Sequence, residues 1–172
     1  MSILSIRQKQ ISKRINGDPV SSDRASSQWR DWHWQHRHRI RSITKFERLT
    51  GITFAPDERR RLEETVSRFP MAITPYYLSL IDPSDYQNDP VFRQAFPSPS
   101  ELITQPCDMT DPLAEDVDSP APQITHRYPD RVLFHISNVC AMYCRHCTRK
   151  RKVGDVDFIP DKATIQEGLA YI

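Results

Sequence analysis

The sequence predicts an α/β chain in which a helical amino-terminal region leads into one strand–loop–helix unit. Three observations predict it. From Ser27 to the segment opening at Pro90, apolar residues and proline-led segments recur at helical spacing. One segment alone, Arg131–Ser137 (RVLFHIS), has the β-rich and nearly continuous apolar character of a strand. Behind it lie a loop carrying three cysteines and a stretch, Asp161–Ile172, that returns to helical spacing.

Taken in order, residues 1–24 are polar, weakly patterned and expected to be mobile. Residues 25–120 make the helical region and its linker. A long helix is expected from Ser27, with Trp29, Trp32, Ile40, Ile43, Phe46 and Leu49 three or four residues apart save for one wider gap, and Gly51 ending it. A second fits Asp57–Phe69, with Leu62, Val66 and Phe69 on one face and Pro70 behind. Shorter helices start at Pro75 and Pro90, each with proline in its first turn behind a capping Thr74 or Asp89. The run from Pro97 to Pro122 is proline-rich and acidic and reads as a surface linker. Residues 121–172 then hold the strand, the cysteine loop and the final helix, with Ile165, Leu169 and Ile172 on its apolar face. A strand that is apolar on both sides belongs inside a parallel sheet, and no other segment supplies parallel neighbours. The chain therefore reads as the amino-terminal part of a longer protein.

Charge and composition exclude several classes. The 172 residues carry 24 basic and 22 acidic side chains, a net +2, so no global field favours nucleic acid. No apolar run is long enough to span a bilayer, and no signal sequence opens the chain. A soluble, cytoplasmic protein with neither membrane nor nucleic-acid partner is expected. Four glycines against 14 prolines point to helices broken by turns, not to a glycine-rich phosphate loop. The Trp-His-Arg cluster over 29–41 has the residue types of a base-stacking face, but tryptophans at helical spacing suit a packing helix or subunit contact better. His33, His36 and His38 do not share one helical face, which argues against a metal site there.

The densest chemistry lies in NVCAMYCRHCTRKRKVG. Cys140, Cys144 and Cys147 stand in C-x3-C-x2-C spacing, offering three thiolates to a 4Fe-4S cluster and no fourth. Three protein ligands leave one iron open to substrate or cofactor, as a catalytic zinc keeps an open position. The alternatives are a zinc site and unliganded thiols. Zinc sites favour paired C-x2-C units or spaced histidines, and His146, lodged between two cysteines, is poorly placed as a fourth ligand. Cys107 is isolated far upstream, and a disulfide framework does not suit such a chain.

These residues and their neighbours carry a resemblance. C-x3-C-x2-C resembles the signature of radical S-adenosylmethionine enzymes. The run THRYPDRVLFHISNVCAMYCRHCTRK (125–150) resembles the lysine 2,3-aminomutase family, as do WRDWHWQHRHRI, ITPYYLSLIDPSD and DPLAEDVDSPAPQITHRYPDRV upstream. The resemblance covers roughly residues 25–160. It implies that residues 121–172 begin a radical S-adenosylmethionine core, the first βα unit of a partial (β/α)6 barrel. It implies a 4Fe-4S cluster held by Cys140, Cys144 and Cys147, with S-adenosyl-L-methionine and pyridoxal 5′-phosphate as further cofactors. The implied reaction is a 1,2-shift of an amino group in an amino-acid substrate, lysine first and glutamate or arginine as alternatives. A related enzyme acting on a protein lysine and a non-catalytic iron–sulfur module are the other readings. A reducing partner such as flavodoxin or ferredoxin and a homo-oligomer are implied for the full-length protein.

Residue by residue, Arg149, two positions past the last cysteine, matches the family's substrate-carboxylate arginine. The bland reading of Arg149–Lys152 is a solvated basic turn. Arg127 and Tyr128 in HRYPDR match the positions that face pyridoxal phosphate, the alternative being a Pro129–Asp130 turn with Arg127 in a surface salt bridge. Tyr143, before Cys144, reads equally as a ring near the adenine or sulfonium and as a cover over the cluster. The family's glycine-rich motif, pyridoxal lysine, side-chain-binding acids and zinc cysteines all lie beyond the cysteine loop and have no position here. The chain alone is therefore expected to show no turnover.

Overall fold

A computed structural model describes residues 3–16, 27–154 and 159–172. The described residues form two compact units: Met1–Ile103 with Ala141–His146, and Thr104–Cys140 with Cys147–Ile172.

The first unit is helical. Its α1 is Ile3–Asn16, followed by a short helical segment at 27–30, α2 (Trp32–Arg37), α3 (Ile43–Thr50), α4 (Pro56–Arg68), α5 (Pro75–Leu80), α6 (Pro90–Ala95) and a 3-10 turn at Pro99–Leu102. The core gathers on α3, where Ile43, Phe46 and Leu49 recur every three residues and all are buried. Phe46 sits at its centre, its ring 4.4 Å from that of Phe96 and 6.0 Å from that of Phe92. Ser42 caps α3 by accepting from the Lys45 N–H, and Gly51 closes it at φ 82°, the left-handed conformation that a side chain resists. Thr74 and Asp89 cap α5 and α6 as the sequence suggests, each with proline in the first turn. Ala55 offers α4 no side-chain cap, but Pro56 presets the first turn, and Asp57 and Glu58 face the positive end of the helix dipole.

Two expectations for this unit are corrected. The polar start is not featureless: Ile3–Asn16 is helical, and Ile11, 7% exposed, joins the core. Long-range contacts hold this helix. Arg7 donates to the Ile81 carbonyl and pairs with Asp82 at 2.9 Å, and Arg14 donates to the Leu49 carbonyl. The rest of the leader, 17–24, lies outside the described residues. The long helix from Ser27 is broken into three pieces. Asp31 caps α2, and Ile40 leaves helical geometry to exchange backbone hydrogen bonds with Ile73 at 2.7 and 3.1 Å. The wide gap between Trp32 and Ile40 in the apolar spacing falls at this break.

The second unit carries a two-stranded antiparallel sheet, β1 (Ile124–Tyr128) and β2 (Arg131–Phe134), with Ile124 opposite Phe134, Thr125 opposite Leu133 and Tyr128 opposite Arg131. This corrects the expected strand. It is shorter than 131–137, it pairs antiparallel, and its residues alternate between exposed and half-buried. The physical reason is the Pro129–Asp130 turn, which folds the strand back onto the residues before it. The coarse expectation of mixed helix and strand holds. Beyond the cysteines, α7 (Lys162–Tyr171) starts at Asp161, whose carboxylate accepts from the Thr164 N–H. It meets β2 through Gly168, where an added Cβ would lie 2.7 Å from the Phe134 ring. That contact, and not the expected Ile165–Leu169–Ile172 face, joins strand to helix; Leu169 and Ile172 are exposed. Among the described residues, no helix is long and apolar enough to cross a membrane.

Candidate functional site

The three cysteines lie on irregular chain between β2 and α7, as free thiols, Cys140 exposed and Cys144 and Cys147 half-buried. The described residues contain no group of three His, Cys, Asp or Glu side chains placed to hold a metal ion. The donor set itself, three thiols outside any disulfide, is the kind that binds iron–sulfur clusters.

The segment around Cys144 is fixed to the helical unit. The Tyr143 N–H donates to the Ala72 carbonyl at 3.0 Å and the Arg145 N–H to the Gln94 carbonyl at 2.8 Å. Met142 packs on the core. Tyr143 is itself buried, with the Arg39 guanidinium 5.8 Å from its ring centroid. Arg145, overlooked in the sequence, is the main anchor. Its Nε and Nη2 grip both oxygens of Glu101 at 3.0 and 2.7 Å, and its remaining donors meet the Pro70 and Phe69 carbonyls. With side-chain exposures of 4% and 17%, this is a two-pronged pair largely shielded from water. Tyr77 of the same unit donates to Gln94, and burial first, then the neighbouring Cys144, raises its phenol above the ordinary range.

A second cluster occupies the second unit. Here the basic run after Cys147 meets the acidic stretch that reads as a linker. Arg151 pairs with both oxygens of Asp116 at 2.7 and 2.9 Å and with Asp111 at 3.0 Å. Asp116 is held below the usual carboxylate range first by its Arg151 hydrogen bond, and Asp111 first by the Asp116 N–H. Arg149 pairs through Nη2 with Glu115 at 2.6 Å, and Lys152 reaches the other oxygen of Glu115 at 3.5 Å. The Glu115 side chain is 5% exposed, a buried carboxylate between two cations. His135, just past β2, is half-buried nearby; burial, then Lys152 and Arg149, push its pKa below the ordinary value. The run 149–152 is thus an ordered set of ion pairs.

Arg127 and Tyr128 lie at the exposed turn end of the hairpin. Arg127 donates to the Leu113 carbonyl at 2.7 Å, and Tyr128 carries the Arg131 guanidinium 4.8 Å above its ring. Glu115 and His135, like Arg145, escape a reading of the sequence, since nothing in it marks a linker acid or a strand-end histidine as buried. The matching signs of 111–116 and 149–152 are the one signal that points to Glu115.

No protein-family model matches the chain. Individual relatives do. The L-lysine 2,3-aminomutase of Methanococcus maripaludis is 47% identical over 153 residues, 89% of this chain and 35% of that protein. The L-lysine 2,3-aminomutase of Clostridium subterminale is 47% identical over 87% of this chain and 35% of itself. The glutamate 2,3-aminomutase of Clostridioides difficile is 38% identical over 96% of this chain and 38% of itself. The chain thus spans about a third of the length of the relatives it matches. With such identity running through nearly nine-tenths of its residues, the chain belongs to the L-lysine 2,3-aminomutase family.

Proposed function

We propose that the chain contributes to a radical aminomutase that moves the α-amino group of an amino acid to C3, with lysine as the substrate. The observation that carries the proposal is the three-thiol C-x3-C-x2-C loop inside a stretch 47% identical to lysine 2,3-aminomutases. Lysine is preferred over glutamate because the glutamate-acting relative is less similar, at 38%.

In this reading Cys140, Cys144 and Cys147 hold a 4Fe-4S cluster. When bound, the cluster, S-adenosyl-L-methionine and pyridoxal 5′-phosphate together supply a carbon radical and a place to stabilise the migrating group. The chain's own residues place and shield. Tyr143 and Arg145, tied into the helical core, fix the backbone on either side of Cys144. Arg149 presents a guanidinium to the substrate carboxylate, setting orientation as well as charge. Arg127 donates to an oxygen of pyridoxal phosphate and Tyr128 packs beside it. Strand, cysteine loop and α7 form the first βα unit of a partial (β/α)6 barrel, whose contact at Gly168 and Phe134 supports the pairing of strand and helix. A low-potential donor such as flavodoxin or ferredoxin delivers the electron, and the full-length protein is a homo-oligomer.

Anaerobic reconstitution with iron and sulfide tests this. Electron paramagnetic resonance should detect a reduced cluster whose spectrum changes on adding S-adenosyl-L-methionine. Alanine at Cys140, Cys144 or Cys147 should strip the iron. A preference for zinc, or a spectrum indifferent to the sulfonium compound, refutes the proposal.

A further inference from the structure

The charges of the ion-pair cluster in the second unit cancel: Arg149, Arg151 and Lys152 stand against Asp111, Glu115 and Asp116. Arg149 therefore has no positive charge to spare, and a ligand carboxylate that comes to it must compete with one already there. That competitor is Glu115, whose Oε1 lies 2.6 Å from Arg149 Nη2. The Glu115 side chain is 5% exposed, and where water is excluded the attraction between such charges is least screened.

The geometry makes this pair exchangeable. Two other arginine–carboxylate pairs of the chain, Arg145 with Glu101 and Arg151 with Asp116, are two-pronged. Glu115 instead divides its oxygens, Oε1 toward Arg149 and Oε2 toward Lys152 Nζ at 3.5 Å. Arg149 Nε meanwhile stays buried with no acceptor. A carboxylate lying side by side on Nε and Nη2 would satisfy both donors, which Glu115 does not. The guanidinium is also the more open partner, its side chain 35% exposed. Displacing Glu115 would not strand a buried charge, because Lys152 already faces its other oxygen.

We infer that Glu115 is an internal competitor for the carboxylate site: it holds Arg149 Nη2 while no amino acid is bound, and keeps Lys152 alone once a ligand carboxylate takes the Nε–Nη2 edge. The inference rests on the amino-acid-binding role proposed for Arg149. It makes Glu115 the residue that lowers the affinity of that site, and Lys152 the cation that lets Glu115 go.

The test is a nuclear magnetic resonance titration of the full chain with 15N in its arginines. L-lysine is added in one series and L-lysinamide, which lacks the carboxylate, in the other, at equal ionic strength. The Arg149 Nε–H resonance, identified by its loss in Arg149→Lys, should move with L-lysine and not with lysinamide. Glu115→Gln keeps the shape and removes the charge, and should tighten L-lysine binding about tenfold, the worth of one charge-assisted hydrogen bond. Lys152→Met should weaken that binding, because Glu115 then has Arg149 as its one cation. Should Glu115→Gln not fold, Lys152→Met alone decides. Weaker or unchanged binding in Glu115→Gln, or unchanged or tighter binding in Lys152→Met, overturns the inference and leaves the role of Arg149 standing. An Arg149 resonance that L-lysine moves in none of these chains, or that lysinamide moves equally, overturns both.

Discussion

Arg145 illustrates how one side chain can set the position of a neighbouring residue, here Cys144. Four side-chain hydrogen bonds spread over Glu101 and two backbone carbonyls, so the residue after Cys144 is tied to the helical unit through side chain and main chain together. Removing the guanidinium leaves a largely buried carboxylate and two carbonyls without that donor. We predict that Arg145→Ala costs about 3 kcal/mol of unfolding free energy, read as a lower urea midpoint. Arg145→Lys should recover only part of it, because a single ammonium cannot bridge the fork and both carbonyls. A double-mutant cycle with Glu101→Gln should give a coupling above about 1 kcal/mol; additive effects would show that the pair is not acting as one. The sequence makes the three-thiol pattern legible because spacing is itself a sequence property. It leaves Arg145, Glu115 and His135 illegible, because their significance comes from burial and from partners 14 to 76 positions away.

At the scale of elements, caps and glycines carry testable weight. Gly51 ends α3 at φ 82° with nothing within 4 Å of where a Cβ would stand, so any penalty at this position is one of backbone conformation. Gly51→Ala should destabilise by about 1 kcal/mol and Gly51→Asn by less, since asparagine tolerates that conformation better. Gly168 is the opposite case: its backbone is ordinary helix, but a methyl group would meet the Phe134 ring at 2.7 Å. Alanine gains about 1 kcal/mol of helix propensity there but overpacks the strand–helix contact by about 1–3 kcal/mol. Gly168→Ala should therefore lower the thermal midpoint, and adding Phe134→Leu should restore it; a rise on the single change would show that α7 does not lean on β2. Capped, proline-led helices such as α5 and α6 are readable because their signals are local. The long helix and the parallel strand mislead because Ile40 and β2 obey partners elsewhere, Ile73 and β1, that no local pattern announces.

For the molecule as a whole, pH reports on which charges the fold has committed. His135 has a pKa below its unfolded value near 6.5, first because it is partly buried and then because Lys152 and Arg149 face it, with Glu115 only partly offsetting them. A histidine depressed in the folded state takes up its proton first in the unfolded chain. Its contribution is therefore neutral above about pH 6.5 and destabilising as pH falls from there toward the lowered folded value. Asp31, Asp82, Asp111, Asp116 and Asp161 are depressed carboxylates, whose stabilisation is present above the ordinary carboxylate pKa and is lost only in stronger acid. The two windows do not overlap. Urea midpoints should accordingly fall between about pH 7 and about pH 5.5, and His135→Asn should flatten that part of the curve without altering the steeper loss below about pH 4. A wild-type curve that is level down to about pH 5 would mean that neither burial nor the two cations lower the His135 pKa in the folded chain.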